Sequence, residues 1–282
     1  MAHPLDDARQ RCDYARDRYI HLQSQIAVFR ETSLAIEFRQ EFDAATNIIT
    51  VFVANQVEYP VVWALAISEI LHNCRVALDY VAWELRNLHQ TKIGNVSLDD
   101  YYTMFIIEPT QEKFSQSKRL NLLDPIHVLM IENFQPFGQI SIAEGREALR
   151  HLFENKPVDQ VDWEMIDSIV VARHPLTILA NLEKQDKHKI LKRVVNRAQE
   201  SHLNEYEGLD CDVVSRNNFI ILEIEKDAKW AECVVEPTGA NPTLWVKDEV
   251  KTNVSFAGWP LTVVEPIFSS IERIISTFSL VF

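Results

Sequence analysis

Cys12, Ala15, Tyr19, Leu22, Ile26 and Phe29 follow one another at steps of three or four residues. That spacing returns to one side of an α-helix, so it predicts a helix over residues 5–30 with a continuous apolar seam. Arg9, Arg16, Asp17 and Gln23 fall off the seam. The period then changes. Leu34, Ile36 and Phe38 alternate with polar or small residues, Asp43–Asn47 is turn-rich, and Ile48–Val53 is β-branched and aromatic. Two such runs about a turn predict a hairpin. Pro60 heads a second helix over about 60–89, because proline's missing N–H costs nothing in a first turn. Val62, Trp63, Ile67, Ile70, Leu71, Val76, Leu78, Val81 and Leu85 cover nearly every side of it. Such a helix belongs at the centre of a fold.

Farther on, Met104–Ile107 reads as a short strand, Leu122–Asn133 as a helix with Pro125 in its first turn, and 145–154 as another short helix. Trp163–Val171 reads as a helix packed before a longer one over 174–199. The longer one starts near Pro175, and Leu176, Leu179, Leu182, Ile190, Leu191 and Val194 supply its apolar side. From 203 to 257 the pattern reverts to strands, around Phe219/Ile221/Ile224, Trp230/Cys233/Val235, Leu244/Val246 and Val254/Phe256, with a turn at Thr238–Pro242. A last helix over 263–280 carries Ile267, Ile271, Ile274, Ile275 and Phe278.

Strands gathered apart from helices predict an α+β fold. The expected architecture is a helical core of three to four helices flanked by an antiparallel sheet, which the hairpin at 34–57 joins. No repeat or low-complexity linker divides the chain, so 1–282 reads as a single domain. Its expected subdivision is a mainly helical 1–200, a strand-rich 201–262 and a C-terminal helix over 263–282.

Composition narrows the picture. The 282 residues are 47% hydrophobic and 24% charged, enough for a full core without staples. A net charge of −13 repels nucleic acid and anionic membrane at long range, though not at a local basic patch. The densest basic stretch, Lys184, Lys187, His188, Lys189, Lys192, Arg193 and Arg197, would spread round a helix, as a solvated surface or a phosphate contact. The four cysteines have no CxxC spacing and read as free thiols. The polar N-terminus carries no signal pattern, and no window offers eighteen uninterrupted apolar residues. The expectation is a cytoplasmic protein without a membrane partner. With six glycines, no Gly-x-Gly-x-x-Gly, no Walker loop, no Gly-x-Ser-x-Gly and no zinc spacing, no cofactor or metal is expected. Trp63, Trp83 and Trp245 read as core.

The candidate chemistry lies in Glu69-Ile70-Leu71-His72-Asn73-Cys74-Arg75-Val76-Ala77-Leu78-Asp79. His72, Arg75 and Asp79 are spaced i, i+3, i+7 and share one helix face, with Glu69 one turn before and Asn73 alongside. Polar groups are costly on a core helix unless paired. A second polar interruption, Asp186-Lys187-His188, breaks the later apolar helix. Three readings fit. In the first, Arg75 binds Asp79 and Asp186 within a buried network that fixes helix packing. In the second, Glu69-x-x-His72 is half of a bundle metal site, although no second such pair exists and Arg75 would repel a cation. In the third, the site is a metal-independent ribonuclease of the HEPN kind, with Arg75 stabilising phosphorane charge and His72 or His188 transferring protons. HEPN domains place His four to six residues after Arg, whereas Tyr80 stands here. Arg16/His21, Arg146/His151 and Arg197/His202 match that spacing, but on the order of one or two such matches arise by chance.

Leu71-His72-Asn73-x-Arg75-x-Ala77-Leu78-Asp79-x-x-Ala82-Trp83, with Gln135-Pro136 and the later Asp186-Lys187-His188-Lys189, resembles an uncharacterised bacterial protein family over most of the chain. In that family the position of Tyr80 is often His, which would restore Arg-x4-His. The resemblance implies a distant, degenerate HEPN-like domain: an RNA-directed protein of the stress or defence type, either a ribonuclease or an inactive binder. Its catalytic residues would be Arg75, His188 and His72, and its binding residues Asn73, Asp79, Asp186 and Lys187. The competing expectation is a non-catalytic interaction protein. The 12–29 seam and the C-terminal helix further suggest a homodimer.

Overall fold

The computed structural model describes residues 2–33, 38–55, 59–93, 103–154, 157, 160–188, 194–198, 206–218, 226–246, 252–257 and 259–282. The fold is α+β. The chain forms two compact units, one comprising Met1–His21, Leu65–Leu191 and Thr262–Phe282, the other Leu22–Ala64 and Lys192–Leu261.

The first unit is helical. It contains the start of α1 (Asp6–Ser33), most of α2 (Val61–Ile93), and α3 (Gln111–Ser115), α4 (Pro125–Asn133), α5 (Gln139–Ala148), α6 (Trp163–Arg173), α7 (Pro175–His188) and α8 (Val264–Phe278). The apolar seam of α1 is buried at Leu5, Ala8, Cys12, Ala15 and Tyr19, where Tyr19 meets Phe268 of α8 edge-on at 5.7 Å. α8 in turn buries Ile267, Phe268, Ile271, Ile274, Ile275 and Phe278. Each such side chain removed from water contributes about 1.5–3 kcal/mol. Both surfaces that suggested a homodimer are thus covered within one chain. α2 is buried on several sides, at Ile67, Ile70, Leu71, Cys74, Leu78, Val81 and Leu85, which is the central position its pattern predicts. By length and composition α2 is also the one helix among the described residues that could cross a membrane, yet 56% of its apolar window is buried inside the protein. Packing therefore accounts for much of its apolar character. Burial also makes the thiols poor nucleophiles: it pushes Cys12 up to about 12 and Cys74 well above the ordinary value.

The second unit carries the strands. β1 (Phe38–Asp43) and β2 (Ile48–Val53) form the hairpin, and β2 pairs antiparallel with β6 (Lys229–Pro237), which pairs with β5 (Cys211–Asn218). The hairpin thus joins the later strands in one sheet, as its pattern suggested. β3 (Val194–Ala198), β8 (Thr252–Phe256) and the two-residue β9 (Trp259–Pro260) form a second antiparallel sheet, and β4 (Tyr206–Leu209) pairs with β7 (Thr243–Val246). Ile49, Val51 and Val53 point inward by simple alternation. β6 breaks alternation: Val51 pairs with Ala231 and Phe52 with Lys229, so Trp230 is the extra residue of a bulge. The bulge lets both Trp230 and Ala231 enter the core beside Cys233 and Val235.

Three expected elements differ. The short helix expected over 145–154 instead spans Gln139–Ala148, and a separate 3-10 turn follows at Arg150–Leu152. The 174–199 helix ends at His188, and Val194–Ala198 is a strand in register with Thr252–Phe256. Val194-Val195 is β-branched, and a short apolar run does not by itself separate helix from strand. Arg197 therefore belongs to β3 and not to the helix that carries Lys184. Met104–Ile107 carries no regular secondary structure and pairs with no strand among the described residues. The expected strand positions Leu34, Ile36, Phe219, Ile221 and Ile224 and the expected helix positions Ile190 and Leu191 lie outside the described residues.

α5 and α6 cross closely at Gly145, where an added Cβ would sit 2.2 Å from Val170 Cγ1. Gly145→Ala should destabilise despite a helix-propensity gain of about 1 kcal/mol, since overpacking costs about 1–3 kcal/mol. Val170→Ala in the same chain should relieve the clash. Denaturant unfolding of the three variants checks this, and a single Gly145→Ala as stable as the parent sinks it.

Candidate functional site

Successive residues of a helix lie 100° apart, so Glu69 and Arg75 stand about 120° apart on α2. The predicted polar face is therefore wide, and its edges meet different neighbours. One edge faces α1. Glu69 Oε1 accepts from Tyr14 Oη (2.6 Å), and Oε2 accepts from Arg18 Nε and Nη2 (3.2 and 3.0 Å). The Tyr14 and Arg18 hydrogen bonds hold the Glu69 carboxyl below its ordinary value. Asn73, 5% exposed, donates to the Glu69 carbonyl (2.8 Å) and accepts from Arg11 Nη1 (3.1 Å). His72 stands between the two edges and is exposed.

The other edge meets the segment at 103–108. Arg75, 6% exposed, donates from Nη2 to the Phe105 carbonyl at 2.5 Å and pairs with Asp79 Oδ1 at 3.2 Å. Asp79 Oδ1 accepts the Phe105 N–H at 2.9 Å. A guanidinium and a carboxylate one helical turn apart thus satisfy both backbone groups of one buried residue. Gln135, fully buried, repeats the device: its Nε2 donates to the Ile106 carbonyl (2.8 Å) and its Oε1 accepts from the Glu108 N–H (2.9 Å). Arg86 Nη1 adds a bond to Thr103 Oγ1 at 2.5 Å. A buried backbone without a strand partner needs such donors and acceptors, since each unsatisfied group costs about 1–3 kcal/mol.

From α7, Glu183 Oε2 reaches 4.0 Å from Arg75 Nε, which makes no hydrogen bond. Asp186, Lys187 and His188 occupy the last turn of α7, and their side chains lie outside the described residues. Among the predicted site residues, the structure thus brings Asn73 to α1 and Arg75 with Asp79 to Phe105, and leaves His72 in solvent. Among the described residues, no group of three or more His, Cys, Asp or Glu is placed to hold a metal ion.

Sequence reasoning missed a cavity of about 510 Å³ in the helical unit. Phe134, Ile140, Leu149, Val170, Leu176 and Ile274 form its apolar walls. Glu144, His151, Arg173, His174 and Arg273 supply its charged and proton-carrying groups. Arg273 Nη1 bridges both Glu144 oxygens at 3.0 Å across the half-exposed rim. Arg173 is exposed and has no ion-pair partner among the described residues. His174 ends α6 and leads into Pro175 of α7, where its Nδ1 accepts the Leu176 N–H at 3.3 Å. That bond leaves the ring proton on Nε2. Burial pushes His174 down to about 4, against a smaller upward pull from Glu144. The cavity's residues are scattered over 133–176 and 270–274. The one local signal was a polar residue directly before a helix-opening proline at His174-Pro175.

Compared with known proteins, the chain matches no family model, no curated protein and no solved structure.

Arg75→Ala should destabilise the protein by about 3–5 kcal/mol, because it strands Asp79 and the Phe105 carbonyl in the interior. Arg75→Ala combined with Asp79→Ala should cost much less than the sum of the single changes. Additive costs in urea unfolding would dismiss the clasp. A separate test is pH. The folded protein binds the His174 proton more weakly than the unfolded chain, so its contribution is complete above pH about 6.5 and falls as pH drops through about 4, by about 3 kcal/mol in all. His127, lowered by burial, shifts stability in the same direction. His174→Asn should flatten the melting temperature between pH 6.5 and 4; an unchanged slope would remove His174 as its cause.

Proposed function

We propose that this chain is a non-catalytic small-molecule-binding protein, with its working site in the cavity bounded by α5, the α6–α7 junction and α8. On this reading the polar residues of α2 serve the fold. The carrying observation is the cavity: about 510 Å³, apolar walls and a few convergent polar groups. Ligand pockets commonly span about 300–1,000 Å³ with that division of labour. The state of Arg75 supports it. To meet a phosphate, its guanidinium would have to release the Phe105 carbonyl and Asp79.

An RNA-directed role of the same residues makes a different demand, and one pair of measurements separates the two. The first is titration of the neutral dye phenylnaphthylamine, whose fluorescence rises in apolar surroundings. Binding to the parent chain, lost in Ala148→Trp at the exposed end of α5, is the expected result. The second is incubation with single-stranded RNA of mixed sequence. RNA left intact agrees with the proposal. Cleavage that disappears in a folded Arg75→Lys variant would replace it with the ribonuclease reading.

A further inference from the structure

The cavity's charges identify the kind of molecule it fits. Arg173 and Arg273 line the cavity together with one carboxylate, Glu144, so the lining carries two cations against one anion. This local excess of one positive charge stands in a chain whose net charge is −13. An isolated positive site in an acidic protein attracts an anion and holds it at that place. Arg273 is already bridged to Glu144 through two 3.0 Å contacts. Arg173 has no ion-pair partner among the described residues and is the cation available to a ligand. Its neighbour His174 keeps its proton on Nε2 because Nδ1 is occupied by the Leu176 N–H. Guanidinium and imidazole N–H groups on consecutive residues are both donors, and carboxylate oxygens are acceptors only.

Glu144 limits the charge of the head group. A dianion such as a phosphate monoester would meet Glu144 with two charges and only one uncommitted arginine, whereas a monoanion is matched one to one. Phe134, Ile140, Leu149, Val170, Leu176 and Ile274 give the remainder of the molecule an apolar environment.

We propose that the cavity binds an amphipathic monocarboxylate, its head group at Arg173 and His174 and its hydrocarbon body against the walls formed by α5, α6 and α8. The inference rests on the cavity being a binding site, and the two fail separately. The experiment is displacement of phenylnaphthylamine from the full chain by decanoate, decanol and decyltrimethylammonium, each below its micellar limit. Decanoate should compete best. Arg173→Gln should weaken decanoate about tenfold while leaving decanol unchanged, and Arg150→Gln, at an exposed pair with Glu147, should change neither. Raised salt should weaken decanoate selectively.

If decanol or the ammonium compound competes as well as decanoate, the carboxylate assignment is overturned and the cavity reading survives. If Arg173→Gln, checked as folded by its melting temperature, binds decanoate like the parent, the head group does not sit at Arg173. If the dye does not bind the parent chain, or binds Ala148→Trp equally, the cavity reading falls and takes the inference with it.

Discussion

A buried segment that pairs with no strand among the described residues draws hydrogen-bond partners from side chains, and much of the helical unit's polar chemistry answers that need. The segment at 103–108 carries Phe105 and Ile106 into the interior at 1% and 2% exposure. Its main chain brings donors and acceptors with it. α2 supplies Arg75 and Asp79, and Gln135, just past the end of α4, supplies the matching amide. Charges on the central helix are tolerable because they are spent on the backbone in this way. Charged hydrogen bonds are stronger than neutral ones, by about a factor of two, so a few such residues can stand in for a strand.

This need explains why a catalytic-looking motif arises. Arginine beside a carboxylate on an apolar helix is the composition of a phosphate site and equally of a backbone clasp. The distinction lies in what the guanidinium touches, and here that is the Phe105 carbonyl. Asn73, Arg75 and Asp79 on α2, with Gln135 some fifty residues later, are the residues that bind α1 and the 103–108 segment.

What was legible follows from the range of the physical signal. The α1 seam, the apolar body of α2, the hairpin and α8 each repeat one period for long enough to declare their type. The Arg75–Asp79 pair, four residues apart, was likewise readable. The boundary of α7 was not, because Ile190, Leu191 and Val194 continue a helical spacing across a change to β3 that only pairing with β8 decides. Met104–Ile107 looked like a strand by its short apolar run alone; its main chain meets side chains of Arg75, Asp79 and Gln135, which no local pattern encodes. The cavity was invisible for a related reason. Its lining comes from five helices, and emptiness between elements leaves no periodic trace.

The clasp on Phe105 recognises a peptide unit and ignores the side chain attached to it. Arg75 and Asp79 grip a carbonyl and an N–H that any residue except proline would offer. Gln135 grips the next units on the same terms. The grips therefore leave the register open: a shift by one residue would offer the same N–H and C=O to each of them. What fixes the register is the pair of side chains carried inward, Phe105 and Ile106, at 1% and 2% exposure.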